Sequence, residues 1–279
     1  SIGAGAPQGG GVLGNDTLGS AVITGFGPFG NCNLVVPNGT NAAASSNGGR
    51  VVLATDGSFS YGPPAGLVDN ALPTPEDSFC YTLTGGSIGI VGLNIALTEL
   101  VWFVDANYLG ANGASDGTQQ RPHTTLGAVA AVDTASDTIH LVSNPSAYTG
   151  GITLEASERL IGSGSGSDLA TITGIMPVAG SAFPALGGMA PTITCAGTCL
   201  TLGSNNLLRG VVMGNPGAAG TAIDGAGFGT LTVAETTINA NGRALNLSNG
   251  TLSGGFVDID VSGGNSQGVN LSAVGGTWS

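Results

Sequence analysis

Three apolar stretches near the C-terminus decide the fold of this chain: LLRGVVM at 207–213, LTVAETTI at 231–238 and FVDIDV at 256–261. They align as one strand position. A second strand position is formed by TAIDG at 221–225, ALNLSNG at 244–250 and VNLSAV at 269–274. Successive stretches are offset by 22 to 25 residues, the length of a single solenoid coil. One coil cannot bury its apolar face alone, so we expect the coils to stack.

The composition limits the class of function. Of 279 residues, 51 are glycine and only 8% are charged; there is no lysine, and the net charge is −12. Binding to nucleic acid requires clustered basic side chains, which five scattered arginines do not supply. The acidic balance argues against docking on anionic membranes, and no apolar run reaches the ~18 residues of a membrane span. Without lysine, Schiff-base chemistry and a P-loop phosphate clamp are excluded.

The four cysteines form two local pairs, Cys32 with Cys80 and Cys195 with Cys199. An even number of cysteines, paired within regions, indicates disulfides and an oxidising compartment; four buried free thiols are the alternative. Three residues separate Cys195 from Cys199, and no second Cys or His pair lies nearby, so a loop disulfide is favoured over a metal site. We therefore expect a secreted or cell-surface, extracellular protein.

Residues 99–279 begin with a recognisable order of elements: VWFVD at 101–105, the short Ala-rich helix RPHTTLGAVAAV at 121–132, and the strands DTIHLV at 137–142, YTGGITL at 148–154 and RLIGSG at 159–164. This order resembles the N-terminal part of right-handed parallel β-helix proteins of the pectin-lyase-like superfamily. The resemblance implies a β-helix whose coils continue to the C-terminus.

Residues 1–98 predict a separate small β-sandwich, because short apolar runs alternate with turn dipeptides such as Asp56-Gly57. Strands are expected at 21–25, 33–36, 50–54, 58–61, 77–84 and 88–97. Three motifs, VLGND at 12–16, LATDGSFSY at 53–61 and DSFCYTLT at 77–84, resemble the cadherin-like (Ig-like) tandem-repeat modules of large bacterial surface proteins. The predicted fold class is therefore all-β, an Ig-like β-sandwich over 1–98 followed by a right-handed parallel β-helix over 99–279.

The N-terminal part departs from that family in two ways. A long insertion, about 25–49, separates the first two motifs. The acidic cluster that some relatives use for calcium is reduced to Asn15, Asp16 and Asp69, so a simple turn at Asn15-Asp16 is the alternative to a calcium site.

Residues suited to catalysis are few. Asp258 and Asp260 are predicted to point outward from one strand face, with Val257, Ile259 and Val261 inward; Asp224 would lie on a neighbouring coil. His140 is expected to face outward, and His123 to cap or pack. No spacing matches a zinc site. We therefore predict no catalytic residue, no metal and no cofactor. A polysaccharide lyase or hydrolase and a glycan-binding module are the alternatives.

The expected function is that of a non-enzymatic structural or adhesive component of an extracellular assembly, such as a filament subunit. The chain starts at Ser1 without Met, which suggests a mature or excised piece. Its last coil offers no polar cap, and open strand edges promote polymerisation. The predicted interface comprises the Gly-rich lead with Ser1, Ile2 and Gly3, and the last strand with Gly275 and Trp278. Self-association or other surface-protein chains are the expected partners, with extracellular glycans a further candidate.

Overall fold

The computed structural model describes residues 11–14, 16, 19–62, 75, 77–93, 100–110, 115, 117–119, 121–175, 182–263 and 267–278. The chain divides into two compact units: residues 1–100 with 169–184, and residues 101–168 with 185–279. The fold is all-β, with antiparallel sheets in the first unit and a parallel solenoid in the second.

The first unit is built from two three-stranded antiparallel sheets. Its strands are β1 (Ile23–Gly27), β2 (Ala42–Ala44), β3 (Arg50–Leu53), β4 (Phe59–Gly62), β5 (Asp77–Leu83) and β6 (Ile88–Leu93). The sheet orders are β1-β5-β6 and β2-β3-β4. Phe26 and Phe79 from one sheet and Val51 and Leu53 from the other are fully buried in a single core, so the sheets form the two layers of a sandwich.

Two local features of this unit differ from the predicted strands. β2 lies inside the insertion and was not predicted, because three alanines carry no β-branched or aromatic signal; it forms by pairing with β3. The predicted strand at 33–36 is reduced to one bridge between Val35 and Phe26.

A buried carboxylate holds the two sheets of the sandwich in register. Asp77 begins β5, and its oxygens accept hydrogen bonds from the Ser45 hydroxyl, from Tyr61 Oη at 2.6 Å and from the Asn47 amide at 2.9 Å. Ser45 and Tyr61 belong to the region of β2–β4, whereas Asp77 belongs to the other sheet. A buried polar group is tolerated when it is hydrogen-bonded in this way, so the Asp of the DSFCY motif has a structural role.

The second unit is a parallel β-solenoid of about six turns. Its strands are β7 (Val101–Val104), β8 (Thr138–Leu141), β9 (Tyr148–Thr149), β10 (Ile152–Thr153), β11 (Arg159–Gly162), β12 (Thr192–Thr194), β13 (Thr198–Thr201), β14 (Leu207–Arg209), β15 (Val212–Met213), β16 (Thr221–Ala240), β17 (Arg243–Val261) and β18 (Val269–Trp278).

The parallel pairings group these strands into three faces. Face A contains β10, β13 and the first parts of β16, β17 and β18. Face B contains β7, β8, β11, β14, the middle of β16 and β17, and the end of β18. Face C contains β9, β12, β15 and the last parts of β16 and β17. β16 therefore passes through all three faces, and it bends where Gly227 and Glu235 have positive φ.

The pairing confirms the repeat that the sequence predicts. On face A, Leu200, Ile223, Leu245 and Val269 are successive partners; on face C, Met213, Ile238 and Ile259 are. The first three members of the face A series are fully buried. Each coil buries its apolar side chains against those of its neighbours in inward columns of this kind.

The first strand of the solenoid is covered by the segment that follows it. Phe103 N–H donates to Gly117 O at 2.9 Å, and His123 N–H donates to Phe103 O at 2.8 Å. The helix predicted over 121–132 is only α1 (Leu126–Val129), with Thr125 as its N-cap. The helix is shorter because the residues around His123 pair with β7 as an extended segment instead.

Candidate functional site

The outer edge of β18 is the candidate site, because no described strand pairs with it. Among the residues that the structure describes, β18 pairs with β17 alone, from Leu245↔Val269 to Gly254↔Trp278. Its sequence, VNLSAVGGTW, contains no charge and no proline. Natural sheets protect exposed edges with lysine, proline or bulges, and β18 has no residue of the first two kinds. Beside Gly275 there is open space where a side chain would stand.

Apolar side chains next to this edge are exposed. On face C, the last part of β17 pairs with β16 but with no described strand on its other side. Val257 and Val261 are 70% and 39% exposed, although Val261 pairs with the buried Ala240 on the preceding coil. No further coil lies against this part of β17 among the described residues, and a coil buries its apolar face only against the next one.

An open pocket of about 650 Å³ lies at the corner between faces B and C. Phe256, Val257, Glu235 and Thr277 are among its lining residues. Glu235 is held there by Arg209, whose Nε and Nη2 donate to its carboxylate at 2.6 and 3.0 Å. The Arg209 guanidinium lowers the pKa of Glu235, so the carboxylate is ionised at neutral pH.

A ladder of polar side chains leads along face A to the same edge. Asn246 Nδ2 donates to Asp224 Oδ1 at 2.5 Å, and Asn270 Nδ2 donates to Asn246 Oδ1 at 2.8 Å. Asp224, which was expected on a coil neighbouring that of Asp258 and Asp260, accepts a hydrogen bond in this ladder. The ladder was missed from the sequence, although the repeat alignment at 221–225, 244–250 and 269–274 already places the three residues in one column. Side-chain amides stacked in this way fix the register of one coil on the next.

The remaining candidate residues do not form a reactive constellation. Asp258 and Asp260 are exposed on β17 as predicted. His140 was expected to face outward but is fully buried; its Nδ1–H donates to Ile161 O at 3.0 Å, and its ring packs edge-on against Phe103. Burial lowers the pKa of His140 to about 4, so this imidazole is neutral at physiological pH. All four residues of β8 are buried, so alternation along this strand does not separate exposed from buried side chains.

His123 is buried and packs against Trp102, with ring centroids 5.8 Å apart, as its packing role predicts. In the part of the chain that the structure describes, no three His, Cys, Asp or Glu side chains are arranged to hold a metal ion. Of the reduced calcium cluster, only Asp16 lies within the described residues, where it accepts a hydrogen bond from Tyr81 Oη; Asn15 and Asp69 lie outside them.

The predicted disulfides are both present. Cys32 is bonded to Cys80, and Cys195 to Cys199. Two disulfides indicate an oxidising environment. Of the predicted interface residues, Gly275 and Trp278 lie in β18, while Ser1, Ile2 and Gly3 lie outside the described residues.

Comparisons with protein-family models, with curated proteins and with solved structures find no match for this chain. Within the described residues, no helix has the length and apolar character that crossing a membrane requires.

Proposed function

We propose that this chain is a non-enzymatic structural or adhesive component of an extracellular or cell-surface assembly, joined to its partner by strand addition at β18. The observation that carries the proposal is the uncharged, ten-residue outer edge of β18. A partner in extended conformation gains a row of main-chain hydrogen bonds at such an edge. The exposed Val257 and Val261 provide apolar surface beside it.

The two ends of the solenoid differ in a way that favours strand addition over solenoid-on-solenoid stacking. At the N-terminal end, the segment around Gly117 and His123 already bonds to β7. A second copy placed head-to-tail would therefore meet a covered edge at one side of the joint. An extended segment can pair with β18 without using the covered edge at β7. The Gly-rich lead at 1–11 is our candidate donor of this segment, because its residues are small and uncharged.

The finer family assignment belongs to the same proposal. The cadherin-like motifs at 12–16, 53–61 and 77–84 support a surface module of the large bacterial proteins. The pectin-lyase-like order at 101–164 supports a right-handed β-helix. The two disulfides support an extracellular location.

The test is electron microscopy of the purified chain at neutral pH, combined with sedimentation velocity. Three proteins are compared. In the edge variant, Ser272→Lys and Thr277→Lys add charge to β18. In the matched control, Ser248→Lys and Ser253→Lys make the same changes at the paired positions one coil below. Lysine on an edge strand opposes further pairing, whereas on β17 it leaves the outer edge unchanged.

We expect fibres or oligomers from the unmodified chain and from the control, and dispersed monomers from the edge variant. Deletion of residues 1–10 should also disperse the assembly if the lead is the donor strand. Monomers from the unmodified chain at high concentration would refute self-association. Equal loss of assembly in the edge variant and the control would refute the β18 edge as the joint.

A further inference from the structure

Four carboxyl groups meet at the corner between faces A and B in the first coils of the solenoid. Asp133 and Asp137 precede β8, and Glu155 and Glu158 precede β11. Glu158 and Asp137 are fully buried. Neither was a candidate in the sequence analysis, because the two pairs are separated by about twenty residues and only the stacking of coils brings them together.

Two oxygen atoms in this cluster are acceptors without a donor. Glu158 Oε2 accepts from the Glu155 amide at 2.6 Å, but Glu158 Oε1 is buried without a partner among the described residues. Asp133 Oδ2 is likewise buried without a hydrogen-bond partner among the described residues. The two side chains lie within hydrogen-bonding reach of each other. Two ionised carboxylates cannot bond, whereas a carboxylic acid and a carboxylate can, so one proton placed between them satisfies both orphaned oxygens.

The surrounding charges also favour that proton. The carboxylates of Asp137 and Glu155 repel negative charge on Asp133, and Asp137 also repels it on Glu158. Asp137 itself is held by Trp102 Nε1–H at 2.9 Å and by the Thr134 amide at 2.9 Å. Burial raises the pKa of Glu158 to about 8 and that of Asp133 to about 6. Arg159, the nearby cation, donates from Nη1 to Ser136 O at 3.3 Å.

We propose that Asp133 and Glu158 share one proton at neutral pH and form a pH-sensitive latch between the first coils of the solenoid. Ionisation of both carboxyls leaves an additional negative charge buried between Asp137 and Glu155. The latch is closed in mildly acidic and neutral solution and opens as the pH rises.

The position of the pair explains why its proton controls coil stacking. Arg159 N–H donates to Asp137 O at 3.0 Å, which joins the coil of β8 to the coil of β11. Leu207 N–H donates to Glu158 O at 3.1 Å, and Asn206 Nδ2 donates to Glu155 O at 2.7 Å, which joins the coil of β11 to the coil of β14. The segment 202–207 contributes no ionisable side chain to the corner. Repulsion at Glu158 therefore acts directly on the backbone bonds between three coils.

The experiment is hydrogen exchange read by mass spectrometry on the full chain from pH 5 to pH 9, expressed as protection factors so that the intrinsic pH dependence is removed. Peptides covering 154–162 and 202–209 report the latch, and peptides covering β5 provide the internal reference. Glu158→Gln keeps the side-chain shape and donates permanently to Asp133. Asp260→Asn, at an exposed carboxylate, is the matched control.

We expect protection in the latch peptides of the unmodified chain to fall up to tenfold per pH unit until about pH 8, because the folded state retains a proton that the unfolded chain has lost. Glu158→Gln should remove the fall, and Asp260→Asn should keep it. An unchanged fall in Glu158→Gln would overturn the proposal. Infrared spectroscopy of the unmodified chain provides a second readout: absence of a protonated carboxyl at pH 7 would overturn it, even if the variant fails to fold. If calcium chloride alone restored protection at pH 8, the proposal of a shared proton would be overturned in favour of a bound cation at this corner.

Discussion

Removal of the Cys32–Cys80 disulfide should affect the stability of the two units of the chain differently. The bond joins the loop before the Val35 bridge to the centre of β5, and Cys80 is fully buried. Replacing both cysteines by alanine removes a cross-link between residues 48 apart in sequence. We expect the first unit to lose much of its stability and the solenoid to keep its own.

The magnitude follows from the loop that each disulfide closes. In the chain-entropy treatment, a loop of 48 residues is worth about 4 kcal/mol at 25 °C. The Cys195–Cys199 bond closes a separation of only 4 residues, which is worth about 2 kcal/mol. Domain stabilities are roughly 5–15 kcal/mol, so the first loss is a large fraction of the total. At ~4–8 °C per kcal/mol for a unit of this size, the melting temperature of the sandwich should fall by roughly 20 °C.

The assay is differential scanning calorimetry of three proteins: the unmodified chain, Cys32→Ala with Cys80→Ala, and Cys195→Ala with Cys199→Ala. Hydrogen exchange of peptides in β5 and in β16 assigns each transition to its unit. Loss of the Cys32–Cys80 bond should lower the melting temperature of the sandwich transition alone. Loss of the Cys195–Cys199 bond should affect the solenoid transition alone, with about half the loss in free energy of unfolding. Equal losses from the two double variants would refute the reasoning from loop length.

Three further predictions concern single side chains. Burial lowers the pKa of His140 from 6.5 to about 4, so the stabilisation contributed by its neutral form is complete above pH 6.5 and falls by up to about 3 kcal/mol towards pH 4. In urea denaturation, the free energy of unfolding of the unmodified chain should fall by this amount relative to that of His140→Asn over the same pH range. Asn246→Val breaks both ladder bonds and should lower the free energy of unfolding, measured by urea denaturation, by about 1–3 kcal/mol. Asn239→Val, at an exposed position, should leave it nearly unchanged, and equal losses would contradict the ladder's role. Leu245→Ala, at a fully buried site, should cost about 2–5 kcal/mol and Val257→Ala less than about 0.5, measured as shifts in the denaturation midpoint.

The repeat and the disulfides were accessible from the sequence because their signals are local or periodic. The alignment of 221–225 with 244–250 and 269–274 agrees with the observed partners Ile223, Leu245 and Val269. Side chains on a strand alternate between inside and outside, so a constant coil length is sufficient to predict which residues stack. The turn at Asp56-Gly57 was predicted for a similar reason, since Gly57 has a positive φ of 87°.

Other features depend on neighbours that sequence spacing does not reveal. His140 alternates with Ile139 and Leu141, and was therefore assigned to the surface, yet it is buried. The alternation fails because all four residues of β8, on both sides of the strand, are buried. The same local pattern predicted Val257 to face inward; its side chain is 70% exposed in a part of β17 whose one described neighbour is β16.

The sequence alone determined that this protein is an all-β chain with a stacked C-terminal repeat and two disulfides, since composition, period and cysteine spacing are properties of the chain itself. The tertiary structure decided which polar groups meet. Asp133 and Glu158 become a pair only when one coil lies on the next, and the order of strands in the sheet is what leaves β18 with β17 as its one described neighbour. Burial and repulsion act through space, so their effect on a carboxyl group depends on the coil above it as much as on its neighbours in sequence.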